Sequence, residues 1–482
     1  MFFDILIAIN IILMIVVVLI EKKNTSEALA WLLVLTFIPV LGFILFIFFG
    51  STLSLKMENL SQKRNILNST YSQYISSQLA KLNINEEIIT SPEIEKYKDI
   101  IYMLANTGEG FYTDDNSIDL LINAQKKYPK LFADISSAKQ SIHMEYFIIK
   151  AKDDSGKMLI SLLAKKAKQG VEVRLIYDRL GDLKNSLEDF KELIECGGEV
   201  YGFLPNPLQL LLRMNYRNHK KIVVIDGKIG YTGGINIGDD YLGLDPKKTP
   251  WRDTHLRLTG SSVAALQMQF INDWLYLEGK SKKKNNFNIK QDFFPLIEKK
   301  GNIGTQIITS GPDTENQNIR DGYVKLINSA RQKIFIQSPY FIPDSIYFNS
   351  LKLAAASGVD VRVMLPGIPD KPYVYYVTCS YIEDLLKNNI KVYAHKGFIH
   401  SKTIVVDDTM CSVGTTNVDV RSFQLDYEIN AFIYDKEFSQ NCSDVFMTDI
   451  NDCKELTLKE FKKRGFFRKC LETVLRLFSP LM

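Results

Sequence analysis

Two uninterrupted apolar stretches open the chain, and beyond them hydrophobic positions come in short periodic runs separated by polar turns. From Phe2 to Ile20 the only charge is Asp4, and from Ala28 to Gly50 there is none. At 19 and 23 residues, each stretch is long enough to cross about 30 Å of hydrocarbon as a helix. The connector Glu21-Lys22-Lys23-Asn24-Thr25-Ser26-Glu27 is short and polar, so the pattern predicts a membrane hairpin over residues 1–56 with spans at 2–20 and 28–50. A cleaved leader is disfavoured, because no basic segment precedes the first stretch and no small-residue cleavage site precedes Glu21. Lys22 and Lys23 compete with Lys56, Lys63 and Arg64 for the cytoplasmic side. The balance slightly favours a multi-pass protein of the cell membrane whose larger, C-terminal part is cytoplasmic.

Residues 57–106 read as a polar, helical connector, and after it the chain repeats itself. Ala138-Lys139-Gln140-Ser141-Ile142-His143-Met144-Glu145 corresponds to Ala330-Arg331-Gln332-Lys333-Ile334-Phe335-Ile336-Gln337, in each case a helix end running into a strand. Gly170-Val171-Glu172-Val173-Arg174-Leu175 corresponds to Gly358-Val359-Asp360-Val361-Arg362-Val363, each after a helical stretch. Helix, glycine stop and strand in that order predict βαβ units, hence an α/β fold made of two similar halves at 107–290 and 291–454. Each half is expected to hold a mixed sheet flanked by helices, the two related by a pseudo-twofold axis. The run Gly279-Lys280-Ser281-Lys282-Lys283-Lys284-Asn285-Asn286 reads as an exposed linker between them.

Residues 455–482 form a basic tail. Lys462-Lys463-Arg464-Gly465-Phe466-Phe467-Arg468-Lys469, followed by Leu471, Val474, Leu475, Leu477 and Phe478, has the spacing of an amphipathic helix. Two readings fit it: a helix lying on an anionic membrane, or one packed on the body with its lysines in water.

Composition narrows the field without deciding it. A net charge of +4 suits an anionic substrate or membrane surface and is too small to argue for nucleic acid. The six cysteines, Cys196, Cys379, Cys411, Cys442, Cys453 and Cys470, lack CxxC or zinc-ligand spacing, so they read as reduced thiols and no metal site is expected.

A third repeated segment carries the chemistry. Asn218-His219-Lys220-Lys221-Ile222-Val223-Val224-Ile225-Asp226, then Gly233-Gly234-Ile235-Asn236, parallels Ile399-His400-Ser401-Lys402-Thr403-Ile404-Val405-Val406-Asp407, then Gly414-Thr415-Thr416-Asn417. Both copies read HxKxxxxD followed by GxxN. His, Lys and Asp at those offsets arise by chance at on the order of one starting point in ten thousand, so two copies at equivalent places are not an accident. In a strand His219 and Lys221 share a face, as do His400 and Lys402. Asn236 and Asn417 follow at the end of the next strand, where their amides are candidates to donate to a phosphate oxygen. Asp226 and Asp407 complete the catalytic motif, although the turn residues after them favour a structural role.

If the halves pack about a twofold axis, two imidazoles, two ammoniums and two amides form a cage for a phosphodiester. A lysine about 4 Å from a phosphate oxygen contributes roughly 1 to 4 kcal/mol, more as charge builds up in the transition state. A neutral imidazole attacks phosphorus without losing a proton, and a protonated one on the opposite side donates to the leaving alkoxide. This chemistry calls for no metal or cofactor. His143, His255 and His395 lack a partner lysine at that spacing and read as structural.

The paired HxKxxxxD motifs with trailing GxxN resemble the phospholipase D superfamily. Within it the chain is similar to bacterial cardiolipin synthases over nearly its whole length: Ala28-Leu29-Ala30-Trp31-Leu32-Leu33, Asn215 to His219, Trp251-Arg252-Asp253-Thr254-His255, Ser338-Pro339-Tyr340-Phe341-Ile342-Pro343 and Ser422-Phe423-Gln424-Leu425. The resemblance implies transfer between two phosphatidylglycerols, giving cardiolipin and glycerol through a phosphohistidine. It implies His219 as nucleophile and His400 as general acid and base, with the reverse assignment open. It also implies that an acid downstream of each motif orients the histidine of the other half: Glu428 for His219 and Asp253 for His400. Asp426 departs from the family, whose members usually carry Asn there. A hydrolase acting on the same lipid and a transferase using another alcohol share every one of these residues, and a silent membrane scaffold needs none of them. The expected partners are phosphatidylglycerol, cardiolipin and the bilayer, with no nucleic acid and an undetermined oligomeric state.

Overall fold

The β-branched runs Ile222-Val223-Val224-Ile225 and Thr403-Ile404-Val405-Val406 are apolar on both faces, so they belong in the middle of a sheet covered on both sides. A computed structural model of the chain places them there. It describes residues 2–20, 25–39, 41–42, 46, 76–80, 92–108, 110–183, 185–203, 215–280, 287–296, 298–477 and 479.

The first half contributes β1 (Tyr112–Ile122), β2 (Ser141–Tyr146), β3 (Glu172–Asp178), β4 (Glu199–Phe203), β5 (Lys221–Ile225), β6 (Ile229–Gly233), β7 (Trp251–Arg252) and β8 (Thr254–Thr259). The second contributes β9 (Ile303–Ser310), β10 (Lys333–Gln337), β11 (Phe341–Ile342), β12 (Asp360–Pro366), β13 (Lys391–His395), β14 (Phe398–Ile399), β15 (Thr403–Val406), β16 (Met410–Gly414), β17 (Val418–Asp419), β18 (Glu428–Tyr434) and β19 (Cys453–Leu456). The order β1-β8-β6-β5-β2-β3-β4 recurs as β9-β18-β16-β15-β10-β12-β13, with β19 added at the far edge. In each half the three strands joined by βα crossovers pair in parallel, β2 with β3 and β3 with β4, then β10 with β12 and β12 with β13, and the other ladders of the sheet are antiparallel.

The expectation of two separate sheets needs correcting. Strands β1 and β9 pair antiparallel, with Tyr112 opposite Gln306 and Asn116 opposite Ile303, so the halves form one 15-stranded sheet. Pairing these two strands removes a pair of exposed edges whose N–H and C=O groups would otherwise lack partners. One core cluster draws on both halves, with Ile222, Val224 and Leu256 beside Val405, Val413, Ile429 and Ala431. Helix Lys98–Gly108, which begins in the expected connector, packs Ile100, Ile101 and Leu104 into a core drawn mainly from the second half.

At the N-terminus, helix Phe2–Ile20 packs on helix Thr25–Phe37, and Asn10 Nδ2 donates to the Leu35 carbonyl at 3.0 Å. The second helix runs for 13 residues rather than the expected 23. It stops where Pro39 removes an amide donor and disfavours helical backbone at Ile38. Among the described residues no helix is long and apolar enough to cross a membrane. The end of the expected second span, the basic residues after it and most of the lysine-rich linker lie outside the described residues.

Candidate functional site

Two short cross-half pairings assemble the site. The segment before His219 bridges to the segment before Glu428: Asn218 pairs with Tyr427, the Tyr427 N–H donates to the Arg217 carbonyl at 2.8 Å, and the His219 N–H donates to the Tyr427 carbonyl at 3.0 Å. The segment before His400 does the same with the segment before Asp253. Strand β14 pairs with β7, and the His400 N–H donates to the Arg252 carbonyl at 2.7 Å. Each histidine is thereby delivered beside an acid of the other half.

The His219 ring places Nδ1 2.9 and 3.0 Å from the two oxygens of Glu428. The His400 ring places Nδ1 2.7 Å from Asp253 Oδ2. A carboxylate accepts, so Nδ1 carries the proton in both rings and Nε2 is left with its lone pair. Lys221 donates to the His219 carbonyl and Lys402 to the His400 carbonyl, each at 2.6 Å, so both ammoniums are fixed next to their own histidine. Phe147 lies edge-on to His219 at 4.9 Å, whereas Trp251 and Tyr241 pack against His400 at 5.5 and 6.1 Å.

Burial sets the protonation states. His219 is held well below the ordinary imidazole range by desolvation, with Lys221 and Lys402 adding to the effect. Desolvation and Lys402 bring His400 down to about 4, although Asp253 opposes them. Burial lowers Lys221 to about 7 and Lys402 to about 8. Burial raises Glu428 to about 7 against the pull of Lys221 and a hydrogen bond from Thr415. The cage therefore holds neutral imidazoles and strained cations, and a bound anion relieves it by favouring every protonated form.

The expected residues do not all converge. Asp226 and Asp407 sit at the far ends of β5 and β15, roughly 20 Å along the strand from their histidines. Asp226 accepts from the backbone N–H groups of Lys139, Gln140 and Ser141 at 2.9, 2.7 and 2.9 Å, and Asp407 accepts from those of Arg331, Gln332 and Lys333. Both pin the start of the neighbouring strand, so the structure does not bring these two expected catalytic residues to the paired histidines. Asn236 is also occupied: its oxygen accepts from the Ile148 N–H at 3.2 Å and its amide donates to the Tyr241 hydroxyl at 2.8 Å. Through Tyr241 it props the His400 ring. Asn417 is buried, and its Oδ1 has no partner among the described residues.

Sequence reasoning missed the residues that hold the acids. Thr415, inside the second GxxN, donates to Glu428, and its own N–H donates to Asn430 Oδ1 at 3.1 Å. Asn123, in a left-handed conformation, brackets Asp253: its Oδ1 accepts from the Asp253 N–H at 2.9 Å and its N–H donates to the Asp253 carbonyl at 3.0 Å. The glycines of GxxN are spacers for the same groups. A Cβ on Gly234 would meet Asp253 Oδ1 at 2.0 Å, and one on Gly414 would meet the Asn430 side chain at 2.2 Å. Asp426 is buried beside Arg421, 3.3 Å from its Nε, and burial raises it to about 7.

The family model described as "Cardiolipin synthase, PLD-like domain" matches the chain twice, at residues 131–247 and 323–450. A second, described as "Phospholipase_D-nuclease N-terminal", matches residues 8–51. The chain is 44% identical to the major cardiolipin synthase of Bacillus subtilis (strain 168), covering 98% of this chain and 97% of that one. It is 41% identical to a cardiolipin synthase of Listeria monocytogenes serotype 4a, covering 99% and 98%. The crystal structure of phosphatidylserine synthase from Haemophilus influenzae Rd KW20 superposes with a TM-score of 0.61 at 16% identity, covering 80% of this chain and 100% of that one. At that identity the likeness speaks to the fold alone.

Proposed function

The chain belongs to the cardiolipin synthase family of phospholipase D-like proteins, and on that footing we propose that it moves a phosphatidyl group from one phosphatidylglycerol to another, yielding cardiolipin and glycerol. The observation that supports this chemistry is the reciprocal pairing of two histidines with acids from opposite halves, each flanked by its own lysine.

In the first step Nε2 of His219 attacks phosphorus and the bond to the departing glycerol oxygen breaks. His400, protonated when the anionic substrate sits beside it, gives its proton to that oxygen. The phosphatidyl group is then on His219. In the second step His400, now neutral, takes the proton of a glycerol hydroxyl on a second phosphatidylglycerol, whose oxygen attacks phosphorus. Cardiolipin forms and His219 is released.

The division of labour follows from the two environments. Asp253 favours the protonated form of His400 through its charge and its hydrogen bond, suiting that ring to acid and base work. His219 is pressed towards neutrality by burial and both lysines, which suits a nucleophile. Lys221 and Lys402 hold the non-bridging oxygens, while Glu428 and Asp253 orient the rings.

The paired N-terminal helices are read as the membrane attachment, with the body on the cytoplasmic side. Their outward apolar residues support this, Ile11, Ile12, Ile15, Val18, Leu29, Leu33 and Phe37 all being exposed. A C-terminal reporter active only in the cytoplasm checks the orientation, and a silent reporter on an expressed, active protein would reverse it.

The reaction is tested by incubating the purified full chain with radiolabelled phosphatidylglycerol and a chelator, alongside His219→Ala and His400→Ala. Cardiolipin plus glycerol, lost in both variants, is the expected result. Phosphatidic acid as the main product would make the protein a hydrolase.

A further inference from the structure

Helix Phe466–Arg476 is amphipathic in the opposite sense from a helix that covers a core. Its polar face is turned inward, onto helix Pro372–Lys387. Arg464, just before the helix, donates to Glu383 at 2.8 Å and pairs with Glu472, which is buried. Arg468 donates to Glu472 at 3.0 Å. Arg476 donates to Asp384 at 3.0 Å and lies 4.0 Å over the Tyr381 ring. Its apolar face is turned out: Phe466 is 75% exposed, Phe467 88%, Val474 54% and Leu477 78%. These positions, with Leu471 and Cys470, recur at helical spacing and make one continuous stripe.

We propose that this helix is an interfacial anchor whose outward stripe enters an anionic phospholipid bilayer while its arginine face locks it to the body. Two observations select lipid as the occupant. The segment leading into the helix exposes Lys459, Lys462 and Lys463, which complement anionic headgroups at the depth where an embedded helix begins. Helix Pro372–Lys387, which carries the anchor, also contributes Tyr375, Thr378 and Ile382 to a cavity of about 120 Å³ that reaches Phe398. The Phe398 ring centre is 6.0 Å from that of His400. The anchor therefore seats the bilayer one helix away from a largely apolar recess that is separated from His400 by the Phe398 ring. This second observation rests on the proposed lipid reaction, whereas the inverted helix and its lysines do not.

The test uses the full chain in nanodiscs, with Cys196→Ser and Cys453→Ser and an environment-sensitive fluorophore on Cys470. Cys470 is exposed, and the cysteines left in place are buried. In discs containing phosphatidylglycerol the emission is expected to shift to the blue and to be quenched by spin labels on the acyl chains, more strongly than in phosphatidylcholine discs. Phe467→Glu with Val474→Glu is expected to abolish the quenching and to lower turnover of bilayer phosphatidylglycerol, while turnover of a monomeric short-chain phosphatidylglycerol stays at the unsubstituted level. An unquenched fluorophore in anionic discs would overturn the proposal. So would shielding of the same size without any bilayer, accompanied by a doubled mass, which would show a second copy covering the face. Equal loss of turnover on both substrates would do so as well, since it would mark the stripe as structural. The quenching is also recorded in His219→Ala, so an error in the proposed reaction leaves this readout unchanged.

Discussion

Glu428 grips Nδ1 of His219 with both oxygens, so in the proposed reaction its charge fixes the tautomer that leaves Nε2 free to attack. Glu428→Gln keeps the shape and removes the charge. We expect kcat to fall by about 10²- to 10⁴-fold with little change in Tm, because burying a neutral amide costs less than burying a carboxylate. Steady-state kinetics and thermal unfolding check the two halves of that statement. Asp226→Asn predicts the reverse. The carboxylate caps three backbone N–H groups at the start of β2, and an amide keeps only one good acceptor, so stability should drop by roughly 1 to 3 kcal/mol while kcat is retained. The lysines set a pH limit with a definite sign. Lys221 and Lys402 hold an anion only when protonated, and burial has brought them to about 7 and about 8 in the free protein. Affinity for a soluble phosphodiester should therefore be highest below about pH 7 and fall as pH rises through about 8. Calorimetric titration across that range checks it, and a flat profile would mean that the lysines do not bear the charge.

The GxxN segments act at the level of strand ends, where β6 and β16 pass behind the acids. Gly234 lies against Asp253, and a methyl there would occupy the position of Oδ1. Gly234→Ala should displace Asp253 from His400 and lower kcat tenfold or more, about 1.4 kcal/mol of transition-state stabilisation, while the protein stays folded. Circular dichroism with product assays tests this, and unchanged turnover would show that Asp253 has room to move. This relation was not legible in the sequence. The motif gave His219, Lys221, His400 and Lys402 because spacing within one strand is local information. The matching of strands β2, β3, β10 and β12 was equally readable, because helix, glycine and strand recur in order. The support of Asp253 by Asn123, 130 residues away, and of Glu428 by Thr415 arises only when distant strands are brought together. Asn236 misled for the same reason: its position suggested phosphate, but its amide is taken by Tyr241. The tail was readable as amphipathic, whereas which face looks outward depends on Glu383 and Asp384, which lie on another helix.

At the scale of the whole molecule, the β1–β9 ladder and the crossed histidine–acid pairs have the same consequence. Neither half contains a complete histidine–acid pair: His219 takes its acid from β18, and His400 takes its acid from the residue between β7 and β8. The polypeptide link between the halves is a separate matter, because the sheet itself joins them through the registers at Tyr112–Gln306 and Asn116–Ile303 and through one shared core cluster. Covalent continuity through the lysine-rich stretch from Lys280 to Lys284 should then be dispensable once the protein has folded. Limited proteolysis after these lysines is expected to leave two fragments that stay together on a sizing column and keep at least half of the turnover, since the shared sheet and core hold them together. The two fragments expressed apart should each be inactive. Activity in either fragment alone would show that one histidine and its lysine suffice, and the reciprocal mechanism would have to be abandoned.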